Sequence, residues 1–486
     1  MTLALGRTVS DAIKTIDGVE EAVTLMDEGT GRTYSFVVVD LGKLNLDRSA
    51  VIDRQKKTEK IWELVWDKTY SKTDLEESED DFDSWVSAYD KKPIPLPAMI
   101  ECRGNTVDRI ENLKPRSLLE IGCGTGLLLW KLHDVVAIYL GVDPSEHAVE
   151  KLNRALKARD IKNVTVLRGA ATRLEECWRQ HFDTVIMNSV VQYFPGTDYL
   201  RSVIESVLRR SCESLFIGDV KSLRHRSVFQ ASVALYQATG NSPARSCLKE
   251  NGHVQANELS VSEEFLEVLA GDTYGLELQL KREGHFNEMS RYRYDAIFHR
   301  LTTPGFVEPD ISAGFTSMEE LERLIGGNPS SIIEILNIPN ARLASDVWAF
   351  WHASEFDGTV DELLRIAETQ KVGSIDPGDL YRLGEKFSLR TRVSYSRRDL
   401  SCINALFEPT SGDIRTWRPE KGSTQAYYTN DPVGAASRPR ISQFLRDQLA
   451  RMNIPRSPDE IVLIDQLPRR NGSLDIDQLI ELVPGE

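Results

Sequence analysis

Three alternating glycines, Gly122, Gly124 and Gly126, follow the apolar run Leu118-Leu119-Glu120-Ile121 and carry the clearest chemical signal in this chain. Glycines lack the Cβ that would keep a strand-to-helix turn away from a ligand, so backbone N–H groups can reach a cofactor at the mouth of the next helix. A dinucleotide turn is spaced G-x-G-x-x-G, and its third glycine packs helix on strand. Here the spacing is G-x-G-x-G, and bulky Leu127-Leu128-Leu129 follows. That pattern disfavours NAD and points to S-adenosylmethionine, held by Glu120, Gly122, Cys123, Gly124 and Gly126. A second apolar strand, Val135 to Val142, ends at Asp143 before Pro144-Ser145 and a helical pattern. This sets a carboxylate where ribose hydroxyls are expected.

The elements that must position these residues alternate between strand and helix from about 97 to 303, the rhythm of a doubly wound α/β sheet. Strands are expected at 117–121, 137–142, 163–167, 183–188 and 214–219. A later pair near 276–282 and 294–300 reads as an antiparallel edge. Ligands bind at the carboxyl ends of such strands. Gly122, Asp143, Gly169-Ala170-Ala171, Asn188-Ser189 and Gly218-Asp219 should therefore converge on one rim, with Ala171 and Asn188 beside the cofactor. Before the sheet lie a short αβ segment (residues 1–42) and a helical, acidic lead-in (43–96). The lead-in's run Asp74 to Asp83 reads as a solvated linker at a domain boundary. Behind the sheet, residues 304–425 read as an accessory lobe, with helix starts at Thr316-Ser317-Met318-Glu319 and Asp376-Pro377. The tail, 426–486, carries one helix (Arg440 to Met452) and one strand (Glu460 to Ile464). No internal repeat is present.

The chain has 486 residues, 41% hydrophobic and 27% charged, enough for two or three cores. Its net charge of −15 argues against a nucleic-acid partner, which clustered Lys and Arg would attract. No apolar run approaches the roughly 20 residues of a membrane span, and no signal segment opens the chain, so a cytoplasmic protein is expected. Six dispersed cysteines include no C-x-x-C pair, which reads as reduced thiols and no metal site.

Several segments resemble the methyltransferase domains embedded in the adenylation domains of nonribosomal peptide synthetases: FDSWVSAYDKKPIP (82–95), LLEIGCGTGLLLWKL (118–132), YLGVDPS (139–145), FDTVIMNSVVQYFPGTDYL (182–200), IGDVKS (217–222), NEMSRYRYD (287–295) and IPNARL (338–343). The flanks resemble the two halves of the small C-terminal subdomain of an adenylating enzyme. The resemblance implies a Rossmann-like class I methyltransferase sheet with an α/β accessory lobe, inserted in a small α+β subdomain. It implies that residues 1–42 and 426–486 close into one unit across the methyltransferase. Two departures stand out. Ser473 occupies the place after Asn-Gly where the adenylating family has a lysine, so no amino-acid activation is expected. Phe286 stands before Asn287, where the methyltransferase family usually has a histidine, and His285 lies one position earlier.

The resemblance further implies an amine acceptor on a carrier-protein-bound aminoacyl or peptidyl group, delivered by synthetase modules. An α-amine near its ordinary pKa of about 7.7–8.0 needs little base strength. Asn188, Tyr193, His285, Glu288 and Arg291 are the candidate catalytic residues. The Asn188 amide would orient the amine, the Tyr193 face would meet the sulfonium, and His285, Glu288 or Asp219 would accept the proton. Arg291, with Tyr292 and Tyr294, would line a substrate channel. O- or C-methylation of a pathway intermediate and a non-catalytic carrier-docking scaffold remain as alternative readings. Met1, just ahead of the subdomain, favours a free, trans-acting protein.

Overall fold

The computed structural model describes residues 3–5, 7–27, 30–39, 48–71, 80–82, 84–172, 174, 180–250, 258–420, 429–430, 438–452, 458–464, 467, 469–470, 473–476 and 479. In chain order these form β1 (Leu3–Leu5), α1 (Arg7–Lys14), β2 (Val19–Asp27), β3 (Thr33–Val39), α2 (Arg48–Ser71), α3 (Leu96–Glu111), β4 (Ser117–Ile121), α4 (Leu129–Leu132), β5 (Ile138–Asp143), α5 (Glu146–Ala158), β6 (Val164–Arg168), β7 (Thr184–Asn188), α6 (Thr197–Leu208), β8 (Ser214–Lys221) and α7 (Arg226–Gln237). Then come β9 (Tyr274–Leu280), β10 (Arg293–Arg300), β11 (Ile311–Gly314), β12 (Ile333–Pro339), β13 (Leu389–Tyr395), β14 (Cys402–Pro409) and β15 (Glu460–Leu463), with further helices between them.

Five strands are parallel in the order β8-β7-β4-β5-β6. Their apolar composition follows from helices covering both faces, and every residue of β8 is buried. β10 runs antiparallel between β8 and β9, which completes the seven-stranded order β9-β10-β8-β7-β4-β5-β6 of a class I methyltransferase sheet. The pair β9 and β10 is thus antiparallel, as its alternating pattern suggests, but it is not an edge. β13 lies parallel to β9 at Val393 and Gln279, and β14, β12 and β11 follow it to give one sheet of eleven strands. Leu119, Ile217 and Phe298 share one core with Ile338, Val393 and Phe407. The residues beyond 303 therefore extend the sheet and the core alike.

A glycine makes that junction close. A Cβ at Gly275 in β9 would lie 1.7 Å from the carbonyl oxygen of Ile414, and Leu276 N–H donates to Thr416 Oγ1 at 2.9 Å. The segment after β14 thus crosses directly over β9.

The chain ends meet in a four-stranded sheet, β1-β2-β3-β15, in which β15 is parallel to β3. Ile13, Ile16 and Val37 pack there with Leu445, Leu449, Ile461 and Leu463. Asp459 accepts from the Thr33 N–H at 2.7 Å and the Thr33 hydroxyl at 2.8 Å. The expected tail helix spans Arg438–Arg451. Asn471, Gly472 and the side chain of Ser473 lie outside the described residues, as do 74–79 and Asp83 of the acidic run. Of its remaining members Asp80 is exposed, whereas Asp81 and Phe82 are buried and depart from a solvated linker. No helix among the described residues is long and apolar enough to cross a membrane.

Two glycine substitutions separate close packing from backbone entropy. Gly275→Ala must displace backbone and is expected to cost about 1–3 kcal/mol, read as a fall in melting temperature. Gly104, helical in α3 with no neighbour within 4 Å of a Cβ, should give a gain of about 0.5–1 kcal/mol as Gly104→Ala.

Candidate active site

The glycine turn is tied to the neighbouring strand. Gly122 and Cys123 N–H groups both donate to the Val142 carbonyl, at 2.7 and 3.2 Å. All three glycines have positive φ, +81° at Gly122, +49° at Gly124 and +88° at Gly126, which side chains disfavour. Their tasks differ. Gly122 and Gly124 line the cleft with Cys123, and a Cβ at Gly122 would lie 2.3 Å from Val190 Cγ2. Gly126 lies behind the wall, where its Cβ would meet Leu152 Cδ2 at 2.7 Å and Trp130 Nε1 at 2.9 Å. The third glycine packs the turn against α5 and does not border the cleft.

Asp143 is the electrostatic centre. Its Oδ2 accepts from Gly124 N–H at 2.8 Å and its Oδ1 from Ser145 N–H at 2.9 Å. Burial pushes its carboxyl up to about 6, and these two donors oppose the rise without cancelling it. Glu120 accepts from the Tyr139 hydroxyl at the cleft's inner end, and burial raises its carboxyl to about 8. The cleft holds about 1320 Å³ of non-protein space, open mouth included. Gly169, Ala170 and Ala171 leave its far wall low, while Asn188, Ser189 and Tyr193 close the other side.

The roof of the cleft is α2, within the stretch whose sequence reads as lead-in. Trp62 and Trp66 pack on Tyr193, ring centroids 4.7 and 5.1 Å apart, and Trp66 stacks on Tyr70 at 5.4 Å. Carboxylates fasten this helix to both sides of the cleft. Glu59 accepts from the Tyr199 hydroxyl at 3.1 Å, Glu63 pairs with Arg168 at 3.0 Å, and Asp67 accepts from Ser145 Oγ at 2.8 Å. Burial alone would raise Asp67, but hydrogen bonds from His147 and Ser145 outweigh it and lower the carboxyl to about 2. The signal was present in the sequence, since positions 59, 62, 63, 66 and 70 recur at helical spacing on one face.

On the acceptor side, Asn188 Nδ2 donates to Ser189 Oγ at 3.2 Å, and Ser189 Oγ donates to Asp219 Oδ2 at 2.8 Å. Arg293 also bonds Asp219 Oδ2, and Lys281 Nζ stands 3.9 Å from Oδ1. Behind them, burial would raise Asp295, but Lys281 and Arg109 hold it below the usual carboxylate range. A hydroxyl thus connects the cleft to a carboxylate fixed between two cations.

Three sequence candidates are not brought to this cleft. His285 is half exposed and bonded to Glu101. Glu288 is buried, accepts from Ser87 Oγ at 2.9 Å and from Ala88 N–H at 3.1 Å, and lines a smaller cavity with Lys221 and Glu258. Arg291 pairs with Asp346 at 3.1 Å. The cause is local. Asn287 caps the short helix Glu288–Tyr292, accepting from Met289 N–H at 2.8 Å, and this helix faces residues beyond 303 through Arg291 and Tyr292. His225 is equally internal: burial lowers it to about 3, between Ser222 Oγ at 3.1 Å and the Leu400 carbonyl at 2.9 Å.

The cleft suits S-adenosylmethionine by its own features. The side-chain-free backbone of Gly122 and Gly124 borders the cleft, a carboxylate whose two oxygens each have one protein donor lies at Asp143, and Trp62, Trp66 and Tyr193 line the same space. Strand order and cleft together define a class I S-adenosylmethionine-dependent methyltransferase, and residues 119–212 match the family model described as a methyltransferase domain. The chain is similar to segments of nonribosomal peptide synthetases. It is 30% identical to chondramide synthase from Chondromyces crocatus over 80% of its length, and 29% identical to enniatin synthase from Fusarium equiseti over 82%. It is also 28% identical to the nonribosomal peptide synthetase dtxS1 of Metarhizium robertsii over 96%. It spans only 11%, 14% and 6% of those relatives. A magnesium protoporphyrin IX methyltransferase from Synechocystis, solved with bound SAM, is 17% identical over 47% of the chain and 100% of that structure, with a TM-score of 0.31; the fold assignment rests on strand order alone.

The ionised Asp143 can accept hydroxyl hydrogen bonds in addition to those from Gly124 and Ser145, and its protonated form loses acceptor capacity. The contribution of Asp143 to S-adenosylmethionine affinity should therefore be constant above about pH 6 and weaken below it, approaching tenfold per pH unit. Titration calorimetry reads this, and Asp143→Asn should bind weakly with no such pH dependence. His285→Gln should leave cofactor affinity and turnover within about twofold, as expected of an exposed substitution outside the cleft.

Proposed function

We propose that this chain N-methylates the amine of a carrier-protein-bound aminoacyl or peptidyl intermediate in nonribosomal peptide assembly, and that it does not activate amino acids. The observation that carries the reading is the Asn188–Ser189–Asp219 ladder. It presents neutral hydrogen-bonding groups to the cleft and, one hydroxyl behind, a carboxylate to which a proton can pass. That arrangement fits a neutral amine that must shed a proton as it gains a methyl group. Similarity to nonribosomal peptide synthetases supports a carrier-bound acceptor. Ser473, which offers no cation to an adenylate phosphate, supports the lack of activation.

In this mechanism the Gly122 and Gly124 backbone, Asp143 and Glu120 hold S-adenosylmethionine, which supplies an electrophilic methyl group. Asn188 orients the amine, and bringing reacting atoms to about 3–3.5 Å in line supplies much of the acceleration. As nitrogen gains its new bond, its proton passes to Ser189 Oγ while the Ser189 proton passes to Asp219 Oδ2. Trp62, Trp66 and Tyr193 keep water out and place aromatic faces near positive charge, worth about 0.5–2 kcal/mol. Arg293 and Lys281 fix the Asp219 carboxylate beneath Ser189.

Incubation with S-adenosylmethionine and aminoacyl-loaded carrier proteins, followed by intact-protein mass spectrometry, tests this directly. One methyl group should be gained, placed on nitrogen by fragmentation, and lost in Asp143→Ala. Methyl on oxygen or carbon would overturn the amine assignment. Ser189→Ala and Asp219→Asn should each lower kcat by about 10²-fold, the lower range for lost proton transfer, with cofactor affinity within about twofold.

A further inference from the structure

The roof helix has a second face. Glu59, Trp62, Glu63, Trp66, Asp67 and Tyr70 turn inward, and each of the three carboxylates is engaged with the core, at Tyr199, Arg168 and Ser145. Among the described side chains of this helix, residues 56–71, the opposite face carries cations and aliphatic groups. Lys57, Lys60 and Lys68 are exposed, and Ile61, Leu64 and Val65 between them are 59%, 60% and 43% exposed. Residues three and four apart are neighbours on a helix, so these six form one continuous patch. It is a basic, apolar-centred surface on a chain of net charge −15.

We propose that this outward face of α2 docks the carrier protein that presents the tethered acceptor, through an acidic surface of that carrier with an apolar centre. The occupant follows from charge and place. Like charges across a contact are strongly disfavoured, and a two-fold contact between copies of this chain would set the same lysines against one another. The inner face of the helix lines the cofactor cleft, so a partner on the outer face is one helix diameter, about 10–12 Å, from it. Exposed aliphatic residues inside a ring of charge are the composition of a docking patch with an apolar core and polar rim. This proposal rests on the reading that the acceptor is carrier-bound.

The test compares one aminoacyl group presented in two ways, on a carrier protein and as a free short-chain thioester. In the triple variant Lys57→Glu, Lys60→Glu, Lys68→Glu, the KM for the carrier-bound acceptor should rise at least tenfold. kcat, cofactor affinity and rates on the free thioester should stay within about twofold. The corresponding triple arginine variant should behave as wild type. The pair Ile61→Ser and Leu64→Ser keeps the charges and should raise the carrier KM as well, which covers the case of a triple variant that fails to fold. An unchanged carrier KM in the charge-reversed protein, with transfer to the carrier intact, would overturn the docking face and leave the proposed function standing. Loss of self-association or of binding to anionic vesicles without a change in carrier KM would also overturn it. Wild type that methylates the free thioester and no carrier would overturn the carrier-bound reading, and this docking face with it.

Discussion

Two hydrogen bonds to one buried carboxylate organise the catalytic half of this protein. Asp143 takes one N–H from the glycine turn and one from Ser145, and thereby sets β4, β5 and the start of α5 in a fixed relation. Ser145 caps α5 with its hydroxyl at Ala148 N–H and donates to Asp67, which brings the roof helix into the same network. A buried carboxylate is costly without such partners, and the rise of Asp143 toward neutrality shows that its two donors compensate only part of the cost. Further donors, such as ribose hydroxyls, would complete the compensation. The cofactor is thus favoured where the protein alone is under-satisfied.

The sheet gives this network a rigid base. Its parallel strands end together at the rim, and the antiparallel β10 places Arg293 and Asp295 behind Asp219. The strands beyond 303 continue the sheet, so the wall that holds the acceptor-side carboxylate is braced by a core shared across residues 119–407. Ser189 and Asp219 both hold positive φ, a conformation that non-glycine residues adopt at a cost. Their mutual hydrogen bond and the surrounding ion pairs sustain it.

Much of this was legible in the residues. An apolar strand, alternating glycines and a strand-end aspartate specify the cofactor side because each is a local pattern with one geometric solution. The roof was equally periodic, yet Glu59 to Tyr70 sits beside a charged run, and composition alone suggested solvent. The eleven-stranded continuity rests on β9 meeting β13, which are more than a hundred residues apart, and on a missing Cβ at Gly275; no local pattern encodes such a meeting. Glu288 and Arg291 have residue types suited to a site, but a five-residue helix capped by Asn287 turns them toward Ala88 and Asp346. Sequence places them near the rim and cannot say on which side of it they fall.

The account's central claim is that one cleft, walled by the glycine turn and Asp143 and roofed by α2, takes S-adenosylmethionine. Amide hydrogen exchange with and without the cofactor examines all three parts at once, because protection reports local opening. Exchange should slow together at residues 122–126, at Ser145 and across 56–71. Slowing at the turn and Ser145 with α2 unchanged would contradict the claim, since the roof would then stand outside the site.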